Sequence, residues 1–174
     1  MGNIVIKKPF RVVCEGRADA AFFNRLFDAR GLGNFEAECA RTANDVGRCA
    51  GKSGITDTLL ALKGVADLYP RRLQGIVIAV DSDDDPDKAF QSVRQAIRMA
   101  KAQLPVPSKL LQPEVDPQGT DPSIVVMCVP WVDAPGHLDS LLFESMRTTH
   151  NDLMSPIDDF LPTDGTSDTR LVSR

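Results

Sequence analysis

The sequence predicts an α/β protein with a mostly parallel central sheet of about four strands and helices on both faces, a Rossmann-like arrangement. Three observations predict it. The runs "FRVVC", "GIVIAV" and "SIVVMCV" are apolar at consecutive positions, which suits strands covered on both faces rather than strands with a wet side. Each run gives way to a segment whose apolar residues recur every three or four positions. The order is strand then helix, four times over, with no internal repeat.

The first strand runs from Phe10 and stops at Glu15-Gly16. Asp19 is the expected N-cap of the next helix, where Phe22, Phe23, Leu26 and Phe27 share a face and Gly31 ends it. "FEAECA" from Phe35 alternates and reads as the second strand. "GRCAGKSG" from Gly47 is a glycine-bearing loop, and the helix after it turns Ile55, Leu59, Leu62 and Val65 to one side. "GIVIAVD" is the third strand, and a helix over residues 87–102 follows, with Phe90, Val93, Ile97 and Ala100 inward. Residues 105–122 are rich in Pro, Asp and Gln and read as an irregular loop. "SIVVMCVP" is the fourth strand, and a last helix restarts near Gly136. Residues 1–150 are expected to form one domain and residues 151–174, punctuated by Pro156 and Pro162, a polar tail.

The chain has 174 residues, 43% hydrophobic and 25% charged, the composition of a soluble globular domain with a real core. No apolar stretch is long enough to span a membrane, and "MGNIVIKKPF" is charged too early for a secretory signal. The expected location is the cytoplasm. The net charge of −4 is no footprint of a protein that holds nucleic acid by bulk charge, so any phosphate must be met locally. Cys14, Cys39, Cys49 and Cys128 form no C-x-x-C pair and are expected to be reduced core residues.

The chemistry concentrates after the third strand. "VDSDDDPD" places Asp81, Asp83, Asp84 and Asp85 within five positions. Carboxylates this close repel one another unless water or a cation neutralises them. In parallel α/β sheets ligands gather at the carboxyl ends of strands. Glu15 ends the first strand and Asp81 the third, so both are expected at one edge. A hard cation such as Mg²⁺ or Mn²⁺ takes oxygen ligands. Asp81, Asp83 and Asp85 alternate along an extended segment and are the candidate ligands, with Glu15 closing the site. Asp84 and Asp87 read as turn and helix-start residues. An EF-hand is excluded, because its sixth and twelfth positions would be Pro86 and Ser92. "GRCAGKS" has three residues between its glycines instead of the four a P-loop needs, but Lys52 can still meet a phosphate as a point charge. His137, after Pro135-Gly136, reads as a surface or capping residue, and Asp139 reads equally well as a helix-dipole partner or a site acid.

The pair "VVCEG" and "IAVDSDDD" resembles the Toprim domain, the metal-binding fold of topoisomerases, primases, recombination mediators and nucleases of the overcoming-lysogenization-defect type. "EGRADAAFF", "AGKSGI" and "PGHLDSLL" resemble a small stand-alone Toprim-like family of bacteria and archaea. The resemblance spans Phe10 to Met146. It implies a Glu15-Gly16 pair with Glu15 in acid–base chemistry, Asp81, Asp83 and Asp85 holding Mg²⁺ or Mn²⁺, and a Gly51-Lys52 segment. The late acid would be Asp139, shorter than the Glu of that family. The implied activity is metal-dependent cleavage of phosphodiester bonds in DNA or RNA. A second reading is a non-catalytic metal-binding module docking on an ATPase or another protein. A third is a phosphohydrolase of the haloacid-dehalogenase type, which also carries Asp-x-Asp after a strand.

Overall fold

In the computed structural model the described residues are 6–43, 48–100, 103–130, 133–150 and 152. Among the described residues four strands and four helices alternate: β1 (Phe10–Cys14), α1 (Arg17–Ala29), β2 (Phe35–Cys39), α2 (Ile55–Leu68), β3 (Gly75–Asp81), α3 (Pro86–Met99), β4 (Ser123–Val129) and α4 (Leu138–Thr149). A 3₁₀ turn, Gly51–Gly54, leads into α2. The chain divides into Met1–Leu138, which holds the sheet and the first three helices, and Asp139–Arg174, whose described part is the rest of α4, His150 and Asp152. The polar tail expected beyond residue 150 lies, Asp152 apart, outside the described residues.

The sheet is all-parallel in the order β2-β1-β3-β4. Chain order reverses at β1: β2 lies on one side of it and β3 on the other. In parallel α/β sheets this point opens a crevice at the carboxyl ends of the strands. The register pairs Cys14 with Ala79, so Glu15 and Asp81 leave neighbouring strands almost level.

Strand alternation sorts the residues between the two faces. On one face Val13, Ile76, Ile78, Val80, Ile124 and Val126 pack with Ile55, Leu59 and Leu62 of α2 and with Phe90, Val93 and Ile97 of α3. On the other face Ala37 and Cys39 of β2 are buried, and Phe27 of α1 meets Phe35 with ring centroids 5.4 Å apart. The expected helices on both faces are therefore present. On edge strand β2, the Asn24 side chain of α1 bonds both the carbonyl and the N–H of Ala37, each at 2.9 Å. That occupies backbone groups which an open edge would offer to another chain.

Three sequence expectations are corrected. Asp19 is not the cap of α1: Gly16 is, and Asp19 is the third helical residue, its Oδ2 accepting from Gly16 N at 2.8 Å. A carboxylate in the first turn reaches back to a free N–H as well as a capping side chain reaches forward. The helix after β3 begins at Pro86, one residue earlier than expected, because the Asp85 side chain caps it through Lys88 N at 3.1 Å and proline suits the first helical position. Cys39 and Cys49 are not reduced core thiols but form a disulfide, leaving Cys14 and Cys128 free and buried. Nothing local in the sequence signals that pairing. It arises because the chain turns back at the end of β2, where Ala50 N bonds Ala40 O at 2.9 Å.

Gly54 seats the 3₁₀ turn against the end of β2. A Cβ built on it would lie 2.8 Å from Ala50 Cβ and Arg41 N and 2.9 Å from Ala40 C. Gly54→Ala is therefore expected to cost about 1–3 kcal/mol, read as a lowered midpoint in urea unfolding with an unchanged slope. Denatured without reductant, the wild-type chain should titrate as two thiols, and as four after reduction.

Candidate functional site

The site is built on the contact between the ends of β1 and β3. Glu15, the first residue beyond β1, accepts the Asp81 N–H on Oε1 at 3.0 Å. Ser82 is fully buried, and its N–H bonds Val129 O at 2.8 Å, carrying the ladder one step past Asp81. The chain then turns at Asp83 with φ of +50°. Aspartate tolerates this left-handed conformation better than most residues, but strain of this kind persists only where the surroundings hold it. Two backbone bonds to Gly136 do so, Asp83 N to Gly136 O at 3.1 Å and Gly136 N to Asp83 O at 2.7 Å. Gly136 itself has φ of +137°, a region that favours glycine.

This bridge brings the loop after β4 onto the acidic turn. Asp81 Oδ1 accepts from Leu138 N at 3.1 Å, at the start of α4. His137 Nδ1 lies 3.3 Å from Asp81 Oδ2 and 3.7 Å from Asp83 Oδ1. His137, expected from the sequence to be a surface or capping residue, is thus part of the site. Its signal was topological: it follows a parallel strand at the same carboxyl edge as Glu15 and Asp81.

Lys52 arrives from the opposite side on the 3₁₀ turn, helped by Gly51 at φ of +57°. Its Nζ pairs with Asp83 Oδ2, stands 3.5 Å from Glu15 Oε1 and lies 3.4 Å from the Asp81 carbonyl oxygen. The ammonium sits among the groups expected to attract a cation.

Of the residues singled out in the sequence, Glu15, Lys52, Asp81 and Asp83 come together here. Gly16 and Asp19 begin α1 beside Glu15 and bond each other. Asp85 does not turn inward with them. Its Oδ1 caps α3, and its Oδ2 lies 3.8 Å from Lys88 Nζ. Asp139 is in the first turn of α4, within the second unit.

Burial dominates the electrostatics of Glu15. Its side chain is 20% exposed, and loss of water raises its pKa from 4.5 to about 6, against the lowering pull of Lys52 and of the Asp81 N–H. Burial alone would lower the Lys52 pKa, but the hydrogen bond to Asp83 and the charges of Glu15 and Asp83 outweigh it and the net shift is upward. The two partners therefore both move upward. The pair is unequal, because Lys52 is held by two carboxylates while Glu15 has one ammonium to offset its desolvation. Burial pushes the Cys14 thiol up to about 12 and the Cys128 thiol to about 11, so neither supplies a thiolate.

By type and charge the donor set suits a divalent cation: carboxylates from Glu15, Asp81 and Asp83 and the imidazole of His137, against one ammonium. By arrangement it is filled from within. Among the described residues no three His, Cys, Asp or Glu side chains converge to hold a metal, and Lys52 Nζ lies between Glu15 and Asp83.

Fold and site together define a parallel α/β protein with a lysine-neutralised acidic site where its strand order reverses. The chain belongs to the family described as "Protein of unknown function (DUF3226)", matched over residues 9–166. No curated protein and no solved structure gives a match. Among the described residues no helix is long and apolar enough to cross a membrane.

The Glu15 shift carries a stability consequence. A carboxyl whose pKa is raised by folding favours the folded state below its unfolded value, near 4.5, and that contribution is lost as pH rises through about 6. In the presence of a chelator, wild-type stability should therefore fall by about 2 kcal/mol between pH 4.5 and 7.5 through this group alone. Glu15→Gln, which keeps an acceptor for the Asp81 N–H, should lack that part of the slope in urea titrations across the same range.

Proposed function

We propose that this protein is a Toprim-like enzyme that cleaves phosphodiester bonds in nucleic acid, with Mg²⁺ or Mn²⁺ as cofactor. The observation that supports it most is the hydrogen bond between Glu15 and the backbone of Asp81, which joins two acidic strand ends 66 residues apart. In this reading Asp81 and Asp83 would hold the ion, which would supply charge stabilisation to a phosphoryl group. Glu15, with its pKa raised to about 6, has the proton affinity of a group that can take and return a proton near neutral pH. Lys52 is placed to meet a non-bridging phosphate oxygen as a point charge. His137 Nδ1, 3.3 Å from Asp81 Oδ2, would help to orient the Asp81 carboxylate. The acidic net charge leaves recognition of the polymer to this local set of groups rather than to a basic surface.

A second reading has an observation of its own. Lys52 already neutralises Glu15 and Asp83, which suits a non-catalytic module that docks on an ATPase or another protein partner.

The two are separated by incubating the full chain with supercoiled plasmid, single-stranded DNA and RNA in Mn²⁺ or Mg²⁺. Cleavage is expected in at least one substrate. Asp81→Ala should lower its rate by about 100-fold or more, the scale of losing charge stabilisation at the reacting group. Glu15→Gln should remove the acid limb of the pH–rate profile near pH 6. Cleavage undiminished in Asp81→Ala would reject the site, and no cleavage under any condition would favour the docking module.

A further inference from the structure

We infer that the outer face of α2 is a self-docking surface, on which a second copy of this chain seats its own α2 antiparallel, with Gly64 facing Gly64. The inference is independent of the chemistry read into the acidic site and uses none of its residues.

The sequence of α2, "ITDTLLALKGVADL", is apolar nearly all round, the pattern of a helix covered on every side. The fold covers only part of it. Ile55, Leu59, Leu62 and Ala66 are buried in the core. Leu60 and Leu68 are 50% and 73% exposed, and Ala61 and Gly64 between them are exposed too. Leu60, Gly64 and Leu68 recur every four residues, so they form one ridge along the helix. Gly64 leaves a gap in its middle, where an added Cβ would meet nothing within 4 Å. The charged residues of α2 are Asp57, Lys63 and Asp67, and Lys63 pairs with Asp67 and with Asp121 of the loop before β4. The exposed positions of α3, by contrast, are mostly polar: Lys88, Gln91, Ser92, Gln95 and Arg98. A helix whose outer face is this apolar marks a surface that something covers.

Symmetry and charge identify the occupant as a second copy. Leu60 lies four residues before Gly64 and Leu68 four after, so the ridge reads the same in both directions. An antiparallel copy sets each Leu60 against the other's Leu68 and lets the two backbones close at the glycines. A two-fold interface requires a patch that matches itself in this way. The charges follow the same order. Asp57 stands seven residues before Gly64 on the same side of the helix, and Arg71 seven after it, in the exposed turn beyond Leu68. Antiparallel pairing brings Asp57 of one copy toward the arginines of the other and sets the two helix dipoles against each other favourably. The turn is built to present those arginines. Arg72 N bonds Tyr69 O at 3.2 Å, with Pro70 second in the turn and Arg71 third at φ of +72°. That third position ordinarily takes glycine. An arginine held there strains the backbone and keeps a guanidinium at the end of the ridge. Tyr69, half exposed, lies 5.0 Å from the Arg72 guanidinium and extends the apolar patch. The patch is small, so the dimer is reversible rather than obligate.

Sedimentation velocity of the full chain over a concentration series up to about 0.5 mM tests the pairing. Wild type is expected to pass reversibly from 19.0 kDa to twice that mass. Leu60→Glu and, separately, Leu68→Glu should each weaken the association at least tenfold. Both side chains stand largely in solvent, so the circular dichroism of the dilute variants should match that of wild type. A second measurement locates the axis. Gly64→Cys, treated with a short bismaleimide, should link to a second copy of itself, because a residue on a two-fold axis faces its own equivalent; Lys88→Cys on the outer face of α3 should not. A chain that stays monomeric throughout the series overturns the inference and leaves the face to a different protein. A dimer that both glutamate variants leave intact, or one in which Gly64→Cys does not link, overturns it as well, since the copies then meet through another surface.

Discussion

Acidic side chains at the end of a parallel sheet repel one another and resist losing water, so burying them side by side calls for positive charge. In this protein that charge is the Lys52 ammonium, shared between Glu15 and Asp83. The rest of the site depends on this neutralisation. It lets Glu15 be four-fifths buried beside Asp81, and it balances a turn whose Asp83 is held at a positive φ. It also explains why the loop carrying Lys52 is fastened so firmly to β2, through Gly54, Ala50 and Cys49. A loop less constrained would lose more entropy in holding a single lysine at one point.

Beneath the site the hydrophobic core supplies the frame. Ile78 and Val80 alternate with Ala79 and Asp81 along β3, so one set of side chains packs under α2 and α3 while the strand delivers Asp81 to the edge. A one-residue slip in the pairing of β3 with β1 would move that set to the wrong face and carry Asp81 away from Glu15. The register that buries the core therefore also sets the acidic pair. Packing and chemistry are specified by the same alternation.

How far the site was legible follows from where its signals lie. Glu15 and Asp81 could be found because each directly follows a run of consecutive apolar residues and parallel strands finish on one edge, and Asp83 because it lies two residues beyond Asp81. Lys52 was visible only as a glycine-flanked loop residue, since nothing local says where a loop will land. Asp85 matched the alternation of the ligands, yet its carboxylate went to the nearest free N–H, that of Lys88. His137 was read as a surface or capping residue because Pro135-Gly136 looks like an ordinary helix start. Its place depends on the two-bond bridge between Asp83 and Gly136, a pairing across more than fifty residues.

The sequence by itself determined the α/β class, the sequence of strands and helices, the faces they bury and the edge where acidic residues would meet. Periodicity and apolar runs are local, and they decide what each segment must cover. Only the tertiary structure decided that β1 sits between β2 and β3, that Cys39 joins Cys49, and that Lys52 and His137 flank the carboxylates from opposite sides. Those are choices among long-range pairings. They are settled by which arrangement buries the core and neutralises the acidic edge at once, and no window of the chain contains both partners.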